Sequence, residues 1–212
     1  MTRSKFTRIF AMCLMCLAVL MVGCGSSNST KAATPAPAQS TSNKGGEQIV
    51  GSLKDKKVLV VYFSWSGNTK AVAEAIHKQV GGDLQAIVPE TPYSETYAIT
   101  VAKAKQEQLT NARPQVKTKI QDIASYDLIF LGYPNWWGSI PMPVVTFLEN
   151  HKLQGKIVAP FFTHGGGGVQ RCYSDLEKYA AGANLKNYLC LSGNAANSSA
   201  GEIENWVKEV AK

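Results

Sequence analysis

From residue 57 to residue 192 the chain repeats one arrangement: a short, almost unbroken apolar run, a turn, then a stretch with helical spacing. The runs are "KVLVVYF" (57–63), "LQAIV" (84–88), "DLIFLGY" (127–133), "KIVAPFF" (156–162) and "NYLCLS" (187–192). Most do not alternate with polar residues, which is the pattern of parallel strands covered on both faces. Helical patterns separate them. In residues 69–80, Val72, Ala73, Ile76 and Val80 fall on one face, and further helical stretches cover 143–149, 170–181 and 202–211. Residues 94–113 are also helical in composition and read as an elaborated crossover between the second and third strands. Strand and helix in strict alternation predict an α/β fold. The expected architecture is a doubly wound five-stranded parallel sheet with right-handed crossovers and strand order 2-1-3-4-5. Ligands of such sheets bind beyond the carboxyl ends of the strands, so the turns that follow the runs carry the functional question.

The chain before residue 53 has a different character. Arg3, Lys5 and Arg8 precede an apolar run from Ile9 to Val22, and "MVGC" closes the segment at Cys24. This is the layout of a secretory signal whose apolar run is short for a stable span. The "MVGC" ending resembles a bacterial lipobox, with residues 1–23 as the signal and Cys24 as the lipid-attachment residue. Residues 24–52 are rich in Ser, Thr, Ala, Pro and Gly and contain almost no large apolar side chain, so they read as a flexible tether. Residues 53–212 form the expected folded domain. The reading therefore places the domain at the extracytoplasmic face of the cell membrane, held by its N-terminal lipid. Without the three basic residues of the signal, 19 of the 22 basic residues stand against 15 acidic ones, a net +4 spread along the chain. No basic stripe with interleaved aromatics is present, which argues against a nucleic-acid partner.

Three turns carry chemistry. The first, "SWSGNT" (64–69), lies between a strand and a helix. Ser64, Ser66 and Thr69 bring hydroxyls, Gly67 permits a tight turn, and the opening amides of the helix favour an anion. It is neither a Walker loop nor a dinucleotide fingerprint, and a plain Ser-capped helix is the competing reading. The second, "PNWWG" (134–138), puts two adjacent Trp residues on a loop bounded by Pro and Gly. A flat aromatic ligand accounts for one of them and core packing for the other. The third, "THGGGGV" (163–169), has four glycines that let the backbone pass close to a ligand edge.

Together these turns resemble the flavodoxin family. "SWSGNT" is similar to its phosphate loop, "GYPNWWGSIPMP" to its flavin-ring loop and "THGGGGV" to its second flavin loop, in the family's order. The resemblance spans roughly residues 57–212. It implies non-covalent FMN, held by Ser64, Trp65, Ser66, Gly67, Asn68 and Thr69 at the phosphate. At the ring it implies Pro134, Asn135, Trp136, Trp137, Gly138, Thr163, His164, Gly165 and Gly166. Trp137 is the favoured ring neighbour, with Trp136 second, and Gly138 offers a peptide able to turn its carbonyl toward the flavin. The loops hold no Asp or Glu, unlike the acidic surface of many electron-carrying relatives.

The expected role is an electron-transfer protein working with a redox partner protein or a quinone-like acceptor. The alternatives are an FMN-dependent quinone or NAD(P)H oxidoreductase and a flavin-binding lipoprotein without turnover. No catalytic side chain is assigned. His164 has no carboxylate or second ligand near it in sequence, and no set of residues has metal-site spacing. Of the five cysteines, Cys172 and Cys190 remain in the domain, where a disulfide between them is open.

Overall fold

Residues 53–195 and 198–212 are described by the computed structural model. The signal 1–23, the lipidation residue Cys24 and the tether up to residue 52 lie outside the described residues. In chain order the elements are β1 (Val58–Tyr62), α1 (Asn68–Val80), β2 (Asp83–Ala86), α2 (Tyr97–Leu109), β3 (Leu128–Pro134), α3 (Met142–Asn150), β4 (Ile157–His164), α4 (Cys172–Tyr179), β5 (Asn184–Leu185), β6 (Leu189–Ser192) and α5 (Ala200–Val210). Every strand pair is parallel, and the sheet runs β2-β1-β3-β4-β5 with β6 also paired to β4. This is the expected 2-1-3-4-5 order with one strand added. Among the described residues no helix is long and apolar enough to cross a membrane.

The apolar runs become central strands because both faces of the sheet are covered. Along β1, Leu59 and Val61 enter one core with Ile129, Leu131 and Phe147. Their neighbours Val58 and Val60 enter the other, with Val72, Ile76, Phe130 and Trp206. Each such buried side chain stabilises the fold by about 1.5–3 kcal/mol. The helical spacing of 72, 73, 76 and 80 supplies the stripe that α1 lays on the second core. Gly132 in β3 leaves room for a ring: a Cβ there would lie 2.0 Å from Phe161.

Two strands depart from the expected pattern. β2 is half exposed along its length because it is an edge strand. The predicted fifth strand is split: Val158 pairs with Leu185 and Phe161 with Leu189, so three steps of β4 face four steps of the edge. The interruption lies beside Pro160, which has no N–H to donate to the ladder. Below it Lys186 N–H still donates to Val158 O at 2.8 Å, and above it β6 resumes as far as Ser192.

Candidate cofactor site

The carboxyl ends of β1, β3 and β4 stop at one level. Phe63 N–H donates to Gly132 O at 2.8 Å, and Asn135 N–H donates to Thr163 O at 2.7 Å, so the three turns leave the sheet side by side. A buried 2.8 Å hydrogen bond between Thr69 Oγ1 and Thr163 Oγ1 ties the start of α1 to the end of β4.

The first turn is a cradle with unused donors. Gly67 is the N-cap of α1, with φ +91°, and no side chain caps the helix. That rules out the plain Ser-capped helix. Among the described residues no hydrogen bond engages the amides of Asn68, Thr69 or Lys70. Ser64 Oγ is buried without a partner. An unbonded buried hydroxyl costs about 1–3 kcal/mol, so its presence beside free helix amides points to an anion that completes the set. A Cβ at Gly67 would meet nothing within 4 Å, which leaves the approach open. Asn68 packs its amide against Gly193, at the exit of β6.

The second turn is the opposite case. Trp136 and Ser139 exchange backbone bonds at 3.0 and 3.1 Å around Trp137 (φ +52°) and Gly138 (φ +78°). Two positive φ values in succession make a type I′ turn. Its surroundings engage many of its polar groups. Asn135 Oδ1 accepts from Gly138 N–H at 2.8 Å, while Asn135 Nδ2 donates to Gly168 O at 2.7 Å. Gly138 O accepts from Arg171 N–H at 2.9 Å, and Gln108 Nε2 donates to Trp136 O at 2.6 Å. Ser139 Oγ donates to Asp175 Oδ2 at 2.5 Å. Turning the Trp137–Gly138 peptide over would require Trp137 to hold positive φ with ψ near about −120°, a conformation that disfavours a bulky residue. The type I′ form seen here is thus held by the Asn135 bond to Gly138 N–H and by the positive φ of Trp137.

The two tryptophans divide as the sequence left open. Trp136 is wedged edge-on between Phe63 and Tyr93, with ring centres 5.2 and 5.0 Å away. Trp137 is 47 % exposed, donates its indole N–H to Val101 O at 3.0 Å and carries Lys105 Nζ over its ring at 4.6 Å. In the third turn, His164 Nδ1 accepts from Gly166 N–H at 3.0 Å, so this imidazole holds the glycine loop in place. Added Cβ atoms at Gly165 and Gly166 would meet nothing, whereas Gly138 and Gly167 pack against Gln170.

Several participants had no signal in the sequence. Tyr97, Thr100, Val101 and Ala104 of α2 form one wall of a cavity of about 240 Å³ whose other wall is Trp65, Asn135, Trp136 and Trp137. Two carboxylates lie behind the turn although none lies in it. Burial opposes ionisation of Asp175, but its bonds to Ser139 and Lys178, with Arg171 adding to them, hold its pKa below the ordinary aspartate value. Burial raises the Glu107 carboxyl against the opposing pull of Tyr93 and Lys103. Cys172 and Cys190 are both free thiols, so the disulfide is not formed. Cys172 is fully buried, and burial, with Cys190 nearby, pushes its thiol up to about 12.

A family profile described as flavodoxin matches residues 57–210. The chain belongs to the flavodoxin family. Among solved structures it resembles a flavoprotein from Bacteroides eggerthii, 34 % identical with a TM-score of 0.65, covering 74 % of this chain and 99 % of that one. A flavoprotein from Lactobacillus acidophilus, solved in complex with FMN, is 28 % identical with a TM-score of 0.57, covering 71 % and 98 %. A protein of Cupriavidus metallidurans named NAD(P)H dehydrogenase (quinone) is 31 % identical over 121 residues, which is 52 % of this chain and 59 % of that protein. The flavodoxin domain thus spans its structural relatives almost completely and the quinone dehydrogenase only in part.

Proposed function

We propose that the protein is an FMN-binding electron-transfer protein, tethered through Cys24 at the extracytoplasmic face of the cell membrane. The observation that carries the cofactor is the cradle of unengaged donors: Ser64 Oγ, the Ser66 hydroxyl and the amides that open α1. These groups suit a phosphate, and they need no cationic side chain. The Asn135–Gly138 turn and the glycines at 165 and 166 would flank the ring, with Thr163 and Thr69 joining the two ends. When bound, FMN supplies the one- and two-electron chemistry, and the protein supplies position and electrostatics. Trp136, wedged between Phe63 and Tyr93, shields the base of the turn from water, and Asn135 ties both ring loops together.

A second reading, an FMN-dependent quinone oxidoreductase, is favoured by the aromatic cavity beside the turn and by the name of the Cupriavidus relative. The visible spectrum of the purified protein tests the cofactor: bound FMN gives two flavin bands, and acid releases the flavin as free FMN. A colourless protein that fails to bind added FMN overturns the proposal. Mixing the loaded protein with NADPH then separates reductase from carrier. Metabolic lipid labelling, compared with a Cys24→Ala chain, tests the anchor.

A further inference from the structure

We propose that Glu107 is a positioning residue for the flavin turn: its carboxylate fixes Tyr93, and Tyr93 fixes the tilt of Trp136. The proposal rests on the flavoprotein reading and deepens it by naming the group that sets the ring loop from behind.

The buried stripe of α2 is Thr100, Ala104 and Glu107, spaced i, i+4 and i+7. A helix that only covers a core fills such positions with apolar side chains. Here two of the three are polar, and both bond one short stretch of the preceding loop. Thr100 Oγ1 donates to Ser94 O at 2.7 Å, and the Tyr93 hydroxyl donates to Glu107 Oε2 at 2.5 Å. Two consecutive residues are thus pinned to α2, and the Ser94 carbonyl also accepts the indole N–H of Trp65 at 2.9 Å.

Tyr93 passes this hold to the turn. Its ring meets Trp136 at 5.0 Å and 85°, and Phe63 meets the same indole at 5.2 Å and 84°. Lys103 Nζ lies over the Tyr93 ring, 4.5 Å from its centre. With its hydroxyl tied, Tyr93 keeps its place in the wedge, and Trp136 keeps one angle. Gln108, the neighbour of Glu107 in the chain, donates to Trp136 O at 2.6 Å. The ring and the backbone of this tryptophan are therefore both set from the end of α2.

Fold stability alone does not account for a carboxylate at 107. The residue is 8 % exposed, and its charge is answered by one hydroxyl and by Lys103 at 4.0 Å. The other charged groups in its groove are Glu90 and Arg113, and Arg113 is taken by Glu149 of α3 at 2.7 Å. Burial raises the Glu107 carboxyl by more than Tyr93 and Lys103 lower it. A group raised in this way adds stability below its unfolded pKa, about 4.3, and loses it as pH rises through the folded value. At neutral pH the charge is a cost that a leucine or a glutamine would not carry. What the carboxylate supplies in return is the hold on Tyr93.

The test compares Tyr93→Phe, Glu107→Leu, Glu107→Gln and the double variant Tyr93→Phe/Glu107→Leu, each loaded with FMN or riboflavin. Tyr93→Phe and Glu107→Leu should each weaken both flavins alike by about fivefold and raise bound-flavin emission, and the double variant should do no more than either single. Glu107→Gln keeps an acceptor for the Tyr93 hydroxyl, so affinity and emission should return to within about twofold of the parent. Without FMN, Glu107→Gln should be at least as stable as the parent at about pH 8, and the margin should close toward about pH 4. Losses that multiply in the double variant would mean that the two residues act independently, and overturn the proposal. So would a Glu107→Gln chain as defective as Glu107→Leu, or variants that lose stability while affinity and emission stay at the parent's. Tyr93→Phe removes a single oxygen atom and carries the test if Glu107→Leu does not fold. A protein that takes up no FMN defeats the flavoprotein reading instead. The hold on Trp136 is then read from the tryptophan emission that Trp136→Phe removes, which Tyr93→Phe should shift and Glu107→Gln should not; no shift with Tyr93→Phe sinks the proposal there too.

Discussion

The turn after β1 and the turn after β3 are neighbours built on opposite plans. Around residues 64–70 a hydroxyl and three helix amides have no partner, and Gly67 leaves the approach empty. Around residues 135–139 both ends of the Asn135 amide, the amide and carbonyl of Gly138 and the hydroxyl of Ser139 are all bonded within the protein. The first region is incomplete without an anion. The second is braced from within and offers shape and aromatic surface. On the function proposed above, affinity for the cofactor would reside mainly in the first turn and orientation of its ring in the second.

The largest effect should come from removing the unengaged hydroxyls. Hydrogen bonds to a charged group contribute roughly 1.5–3 kcal/mol each, so the pair Ser64→Ala and Ser66→Ala should weaken FMN by about 3–6 kcal/mol. Riboflavin, which lacks the phosphate, should lose little. The FMN-free variant should melt no lower than the parent, because Ser64→Ala removes a buried hydroxyl that had no partner. Equal losses for FMN and riboflavin would break the assignment of the first turn.

This contrast also marks what the sequence could and could not convey. The central strands, the helix face of α1 and the three turns were legible because they depend on local pattern: apolar runs, helical spacing, and Gly or Pro at the breaks. Ser64 and Gly67 could be recognised for the same reason. The interruption of the edge strand was not, since it depends on Pro160 facing a neighbour from a different part of the chain. The α2 wall was equally hidden. Nothing in "YAITVAKA" announces that Tyr97, Thr100, Val101 and Ala104 meet Trp65 and Trp137, because that meeting is set by how the crossover packs. The setting of Gly138 was hidden too: its positive φ is paired with that of Trp137, and Asn135 and Arg171 bond its amide and carbonyl.

Within the second turn, the two tryptophans should separate stability from cofactor contact. Trp136 is packed between Phe63 and Tyr93, so Trp136→Ala should cost about 3 kcal/mol in urea unfolding of the FMN-free protein. Trp137→Ala, at a half-exposed position, should cost under about 1 kcal/mol and raise the fluorescence of bound flavin more than Trp136→Ala does. The reverse order in fluorescence would move the ring contact to Trp136.

Asn135→Ala should fall next. It removes the bonds to Gly138 N–H and Gly168 O, so the ring loops lose their tie at a cost of about 1–3 kcal/mol. FMN and riboflavin should weaken alike, in contrast to the serine variants. Hydrogen exchange should quicken at Gly138 and in the glycine loop. Unchanged exchange there would mean that the turn holds its shape without Asn135.

The smallest expected effect tests the carboxylate behind the turn. Burial alone would raise the pKa of Asp175, but Ser139 and Lys178, with Arg171 in support, lower it below the ordinary value. A carboxyl with a depressed folded-state pKa contributes stability that is present above its unfolded pKa, about 3.9, and is lost as pH falls through the lower folded value. Because burial offsets much of the gain, the net contribution should be about 1 kcal/mol or less. Asp175→Asn should therefore flatten the acid limb of the stability profile and leave the neutral region shifted only by the cost of the changed hydrogen bond. The same change removes a negative charge near the turn, so electrons should enter bound FMN more easily, and its reduction potential should rise. Arg171→Gln should move the potential the other way, because it leaves the carboxylate less neutralised. Arg171 is 66 % exposed, so its shift should be the weaker of the two and should fade as salt is raised. If Asp175→Asn lowers the potential instead, the carboxylate acts by holding Ser139 and the turn in place, and the second region governs the flavin through geometry alone.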